Sequence, residues 1–231
     1  MDSLKNMNGL IVVPAFNEEK VIASVVKKIP KKILNLELDI LVVNDGSVDG
    51  TARVLRQIGA NFITHPINRG LGAALGTGFE YARIHDYDFL VTLDGDGQHD
   101  PTDLPNLIKP IALGKADFVV GTRIRKKGMP QTRKVLTYLA SLATYLFTGV
   151  WTTDSQSGFR VFSRLAISQI FVKVDRMEVS SDFFRQAKEK KLRIKEVSIK
   201  AIYTQYSLKK GQNVWNSLNI LAKLTLQKLI D

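Results

Sequence analysis

Short, unbroken apolar runs alternate along the first half of this chain with stretches where apolar residues recur every three or four positions. The runs are Leu10–Val13, Asp39–Val43, Asn61–Thr64, Asp88–Leu93 and Phe118–Val120. Their length and their Val, Ile, Leu and Phe content predict buried strands. Helical spacing is expected from Asn17 or Glu18 to Ile29, from Gly50 to Ile58, from Gly70 to Arg83 and from Pro101 to Leu113. Pro101 suits a first helical position, where the missing N–H would have no partner anyway. The Gly70–Arg83 segment gathers Gly72, Ala73, Ala74, Gly76 and Gly78 into a small-residue face. This β-α-β-α rhythm predicts an α/β fold, a Rossmann-like, mostly parallel sheet with helices on both faces.

The second half is less regular. Gln131–Phe147 reads as a helix and Thr152–Arg160 as a polar loop. A helix over Glu178–Lys190, a strand over Arg193–Tyr203 and an amphipathic helix over Val214–Leu229 complete the pattern. With no repeat, low-complexity tract or linker, residues 1–231 are expected to form one domain.

Composition narrows the chemistry. The apolar content of 45% can fill a sizeable core, and 24% charged residues argue against bulk disorder. The chain has no cysteine, which excludes disulfides, thiolate nucleophiles and cysteine–zinc sites and fits a reducing compartment. The first apolar run is too short for a signal peptide and leads straight into Pro14. The longest uncharged stretch, Val135–Thr153, approaches the roughly 20 residues a membrane span needs. Its five threonines, two tyrosines, serine and glycine make it a helix expected to be buried or to lie on a membrane surface. The net charge is +11, and Phe183–Asp231 carries 11 Lys or Arg against 3 Asp or Glu. Such a surface attracts phosphates, whether on nucleic acid, lipid or substrate. A nucleic-acid partner is not expected, because Phe183, Phe184, Tyr203, Tyr206 and Trp215 are too scattered to interleave with the basic run.

Open α/β sheets bind ligands beyond the carboxyl ends of their strands, and the unusual polar residues fall there. Four strand ends carry Pro14 to Glu18, Asn44 to Ser47, Asp94 to Gln98 and Gly121 to Arg123. Asp94 and Asp96, separated only by Gly95, can turn oxygen ligands toward one hard cation, Mg²⁺ or Mn²⁺. Gly95 lets a phosphate approach the backbone. Alone, such a pair is more often a solvated acidic turn or a helix N-terminus ahead of Pro101; its place directly after the Phe89–Leu93 run and beside the other strand ends favours the metal. Asp45 could accept from the ring N–H of a uracil or guanine, or cap its Asp-Gly turn. Glu18 could touch a nucleotide or stabilise the first turn of its helix. Arg123 offers a fork to a diphosphate, or is a surface arginine.

In order along the chain, VVPAFNEE (Val12–Glu19), VVNDGSVDGT (Val42–Thr51), NRGLGAALGTGF (Asn68–Phe79), LDGDGQHDP (Leu93–Pro101), VVGTR (Val119–Arg123) and DSQSGFRVFSR (Asp154–Arg164) resemble glycosyltransferase family 2, the inverting GT-A enzymes. The resemblance covers about Leu10–Tyr203 and is strongest to the polyprenyl-phosphate sugar transferases of the dolichol-phosphate mannose synthase type. It implies a single GT-A domain with a nucleotide-sugar half over about 10–125 and an acceptor half over about 126–231. Pro14, Glu18, Val43 and Asp45 would line the nucleoside pocket. Phe16 stands where the family often has tyrosine, so stacking survives without the hydroxyl. Asn44 replaces the first Asp of the frequent Asp-Asp-Gly-Ser. Asp94, Asp96 and Gln98 would hold the divalent metal and the diphosphate. Arg123 and Arg133 would face phosphates, and Gln156 and Arg160 would shape the sugar and acceptor side. In the C-terminal loop Lys209 or Lys210 would serve the acceptor, but the family's arginine there has no counterpart.

The resemblance further implies one in-line displacement with inversion, from a nucleoside-diphosphate sugar such as GDP-mannose or UDP-glucose. A polyprenyl-phosphate acceptor is already anionic and needs no base, whereas a sugar hydroxyl would. Asp182 is the base candidate by family position; Glu178 lies four residues away and would share its helix face. The basic C-terminal region and the apolar Val135–Trp151 helix favour the lipid phosphate. The protein is then expected at the cytoplasmic face of an anionic membrane, peripheral, with room for a membrane partner protein. A transferase acting on sugar hydroxyls in envelope glycans is the alternative. A nucleotidyltransferase is disfavoured, because no Gly-rich loop with basic residues follows the first strand.

Overall fold

Leu10 and Val12 bury their side chains on one face of the first strand, Ile11 and Val13 on the other, as the two-residue period of a covered strand demands. The computed structural model describes residues 7–33, 36–123, 129, 131–175, 177–200 and 202. The described strands are β1 (Asn8–Ala15), β2 (Lys32–Ile33), β3 (Leu36–Asn44), β4 (Phe62–Thr64), β5 (Phe89–Thr92), β6 (Phe118–Thr122), β7 (Arg160–Ser163) and β8 (Ile194–Ser198). They form one sheet in the order β2-β3-β1-β5-β7-β6-β8, with β4 also pairing β3.

One core lies under α1 (Ile22–Lys28), α2 (Thr51–Gln57) and α4 (Leu104–Ala112). The other lies under α3 (Leu71–Ile84), α6 (Arg164–Gln169) and α7 (Val179–Glu189). The small face of α3 explains its seat on the sheet. A Cβ built at Gly78 would come within 2.5 Å of Val12, so only glycine lets this helix lie so close to β1.

The structure departs from the sequence expectations in three places. The first helix starts at Ile22, not at Asn17 or Glu18, because Asn17 adopts a left-handed φ of 54° that cannot enter a helix. Pro101 opens a 3₁₀ turn (Pro101–Asp103) ahead of α4, and α4 contains Pro110. The polar loop ends one residue early. Arg160 begins β7, which runs antiparallel between β5 and β6, with Val161 paired to both Val91 and Val119. The sheet is therefore mixed: β2 and β7 run against the other six described strands.

The long uncharged segment becomes α5 (Gln131–Thr148), packed on α7. Its buried residues are Thr137, Ser141, Ala143, Thr144 and Thr148. Thr144 Oγ1 and Ser181 Oγ share a hydrogen bond of 3.0 Å across this helix pair. Val135, Tyr138, Leu139, Tyr145 and Leu146 face outward, and Leu146 is 64% exposed. Among the described residues no helix is long and apolar enough to cross a membrane. The end of the expected strand at Tyr203, the Val214–Leu229 helix, and Lys209 and Lys210 lie outside the described residues.

Candidate active site

The carboxyl ends of β1 and β5 open into a cavity of about 380 Å³. Its floor carries Pro14, Glu18, Thr92, Asp94, Gly95, Asp96 and Gln98. Its wall carries Arg123 from the end of β6, Met129, Arg133, Leu136 and Thr137 from α5 and the segment before it, and Gln156, Gly158 and Arg160 from the loop into β7. Met177 and Ser180 close it near the start of α7.

Asp94 and Asp96 share this cleft. Burial pushes the Asp96 carboxyl above its ordinary range, and the neighbouring charge of Asp94 pushes it further, against the hydrogen bonds of Gln98. Burial also opposes ionisation of Asp94. The His99 hydrogen bond and the charges of His99, Arg123 and Arg160 outweigh it and hold Asp94 below the usual carboxylate range. One carboxyl held low therefore sits beside one pushed up, and a nearby cation would favour ionisation of both. Gln98 donates to Asp96 from its backbone N–H (3.0 Å) and from Nε2 (2.6 Å), so it orients Asp96. Hard oxygen donors of this kind suit Mg²⁺ or Mn²⁺. Among the described residues no group of three or more His, Cys, Asp or Glu is placed to hold a metal ion.

The wall is basic and tightly held. Asp154, fully buried, grips Arg123 through Nε and Nη2 at 2.8 Å each. Arg160 is 1% exposed, donates Nη2 to the Ser155 carbonyl (2.9 Å) and lies 5.3 Å from the Phe183 ring centre. Burial lowers its pKa to about 10 despite the nearby carboxylates of Asp94 and Asp154. Its Nε and the Gln156 Oε1 are buried without a partner among the described residues. The Ser155 backbone N–H donates to Ser141 Oγ (3.1 Å), tying this loop to α5. The reversed β7 makes the arrangement possible: Arg160 pairs with Thr92, two residues before Asp94.

The rim at the end of β3 is less open than the sequence suggests. Asp45 is buried. Its Oδ1 accepts from His65 Nδ1 (2.7 Å) and the Arg69 N–H (3.1 Å), and its Oδ2 from the Gly70 N–H (2.6 Å). It anchors the approach to α3 and does not line the cavity. The Val43 side chain is fully buried in the core. Phe16 is 40% exposed beside this rim.

Asp182 does not reach the cavity either. Its Oδ1 binds Arg185 at 2.5 and 2.9 Å and its Oδ2 accepts from Gln186 (2.7 Å). Ser180 is on the cavity, and two further residues turn an α-helix by about 200°, which points Asp182 away. Sequence reasoning passed over His65, His99 and Asp154. Single histidines carry no spacing signal. Asp154 opens the motif that ends in Arg164, but its hold on Arg123 spans 31 residues.

A family model described as glycosyl transferase family 2 matches residues 10–171. The chain belongs to glycosyl transferase family 2. This family 2 chain is 42% identical to an uncharacterized protein of Methanocaldococcus jannaschii, across 95% of this chain and 91% of the relative. It is 36% identical to the UDP-N-acetylglucosamine–dolichyl-phosphate N-acetylglucosaminyltransferase of Methanococcus voltae, across 95% of each. It is 31% identical to the undecaprenyl-phosphate mannosyltransferase of Micrococcus luteus, across 68% of this chain and 66% of the relative. Among solved structures it is similar to glucosyl-3-phosphoglycerate synthase from Mycobacterium tuberculosis in complex with Mn²⁺, UDP and glucosyl-3-phosphoglycerate. The TM-score is 0.73 at 19% identity, over 95% of this chain and 78% of that one, which shows a shared GT-A fold.

Proposed function

We propose that this family 2 chain transfers a sugar from a nucleoside-diphosphate sugar to a polyprenyl phosphate. The observation that carries this reading is the division of charge in the cavity. Its described carboxylates, Glu18, Asp94 and Asp96, lie on the floor, while the wall presents Arg123, Arg133 and Arg160 with Leu136, Met129 and Met177. A wall with three arginines and no described base suits an acceptor that is anionic, nucleophilic and joined to an apolar chain. The named relatives from Methanococcus voltae and Micrococcus luteus act on such lipids by their names.

In this reading the pyrophosphate lies over Asp94, Gly95 and Asp96, and Glu18 and Pro14 meet the nucleoside. A bound Mg²⁺ or Mn²⁺ would supply neutralising charge to the leaving diphosphate. An oxygen of the acceptor phosphate attacks the anomeric carbon, the bond from that carbon to the diphosphate oxygen breaks, and the configuration inverts. Arg133 and Arg160 orient the acceptor phosphate. The unmet Nε of Arg160 supports that role.

The outer face of α5 would rest on an anionic bilayer and hold the protein peripherally at its cytoplasmic side. Tyr138 and Tyr145 meet Trp151 edge-on at 5.7 and 5.9 Å, an aromatic cluster of the kind that settles at membrane interfaces. The same helix lines the cavity through Arg133, Leu136 and Thr137, so the acceptor headgroup and the bilayer would meet one element. The test is an assay with Mn²⁺, a panel of UDP- and GDP-sugars, and polyprenyl phosphate, polyprenol or oligosaccharide as acceptor. The expected product is an acid-labile glycosyl phosphate lipid formed from polyprenyl phosphate. Transfer only to the oligosaccharide would reject the proposal.

A further inference from the structure

His99 is fully buried, with its side chain at 0% exposure. Its Nε2 lies 3.0 Å from Asp94 Oδ2. An ionised carboxylate can only accept, so Nε2 donates to it. Nδ1 is buried and has no partner among the described residues. The ring packs against Phe159 with centres 5.1 Å apart and planes at 46°. As a core residue this histidine is a poor choice. It strands a polar atom in the interior, whereas leucine would fill similar space without that penalty.

Asp94 is also confined by the backbone of Gly158. A Cβ built at Gly158 would stand 2.0 Å from Asp94 Oδ1 and 2.2 Å from Oδ2, so the carboxylate presses on bare backbone. That backbone is fixed to β5 by the Thr92 hydroxyl, which donates to the Gly158 carbonyl (2.7 Å). The neighbouring Asp96 has a different support, the amides of Gln98. The two aspartates are thus oriented by independent devices.

We propose that His99 is a positioning residue for the cation and diphosphate site: by occupying Oδ2 of Asp94 it commits Oδ1 to the ligand. This rests on the reading of Asp94 and Asp96 as that site. Groups that hold a metal ligand in place from behind typically alter metal affinity about 10- to 100-fold when removed. His99 acts in this way through one hydrogen bond, and Gly158 acts by leaving room.

The experiment is a Mn²⁺ titration of the full chain with UDP present, read by electron paramagnetic resonance, with thermal melting alongside. His99→Leu is expected to weaken Mn²⁺ binding about 10- to 100-fold while its melting temperature equals or exceeds that of the wild type. His99→Gln, which keeps a donor near the Nε2 position, is expected to restore most of the affinity. Gly158→Ala, which places a methyl against both carboxylate oxygens, should also weaken binding. Wild-type affinity in His99→Leu would overturn the role of His99 alone. A His99→Leu protein that melts far below the wild type would assign the residue to the core and overturn it too. If the wild type binds no Mn²⁺ with UDP, the cation site itself fails, a result distinguishable from either.

Discussion

The floor and the wall of the cavity are built on opposite plans. On the floor, carboxylates sit at the ends of β1 and β5 and are oriented by short-range partners: Gln98 for Asp96, His99 for Asp94. On the wall, guanidinium groups arrive from separate elements, and Arg123 is held across 31 residues by Asp154. The floor is compact and acidic and suits a cation with a diphosphate. The wall is basic and edged with apolar side chains and suits an anion with a greasy tail. If the floor serves the donor and the wall the acceptor, as proposed, the two can be damaged separately, and five experiments test this in descending order of effect.

Asp96→Ala should remove the floor's function outright. Transfer is expected to fall at least about 1,000-fold, and calorimetry should show loss of Mn²⁺-dependent nucleotide binding. Retained binding would collapse the distinction. Arg133→Ala should touch the wall alone. The KM for polyprenyl phosphate should rise roughly 10- to 100-fold, as expected for one charged hydrogen bond, with donor affinity unchanged. Next in size is the outer face of α5. Leu139→Ser with Leu146→Ser should cut co-sedimentation with phosphatidylglycerol vesicles about tenfold and spare transfer to a short-chain, water-soluble acceptor. Asp182→Asn should change kcat by no more than about threefold and leave the pH profile alone, since no base is needed for a phosphate nucleophile. A large fall would favour a hydroxyl acceptor.

The smallest effect is a control at the other end of β6. Asp117 accepts two hydrogen bonds from the Arg193 side chain at 2.8 Å, which hold its carboxyl below the usual carboxylate range although partial burial opposes this. A carboxylate depressed in the folded state stabilises it above the unfolded-state value, and that gain disappears as pH falls through the folded value. Asp117→Asn should therefore lower the melting temperature slightly at pH 7, by an amount that shrinks as pH falls through the folded value, with no change in either substrate's binding.

Much of the floor was legible in the sequence. Apolar runs located β1, β3 and β5, and Asp94-Gly95-Asp96 followed one of them directly. The wall was legible only as a set of residues. Arg160 begins a four-residue strand with just two apolar side chains, and the pairing that makes it a strand comes from β5 and β6. No local pattern encodes that. Asp45 was expected to face a base. It turns instead to His65, Arg69 and Gly70, more than 19 positions away, because the chain folds back after β4. Asp182 was placed by family position, and the phase of α7 decided otherwise. The bounds of α5 were accurate to one residue, since a long stretch free of Gly and Pro with helical spacing announces itself, but its inverted faces emerged only from packing on α7.

The reversed strand β7 also limits how such an enzyme can be re-engineered. It belongs to the second half of the chain yet sits between β5 and β6, in the middle of the sheet that carries the aspartates. A chimera joined near residue 125 to gain a new acceptor would therefore import a foreign central strand along with the new pocket. Grafts confined to α5 and the loop before Arg160 would leave the sheet native, and there a change of lipid preference should be sought.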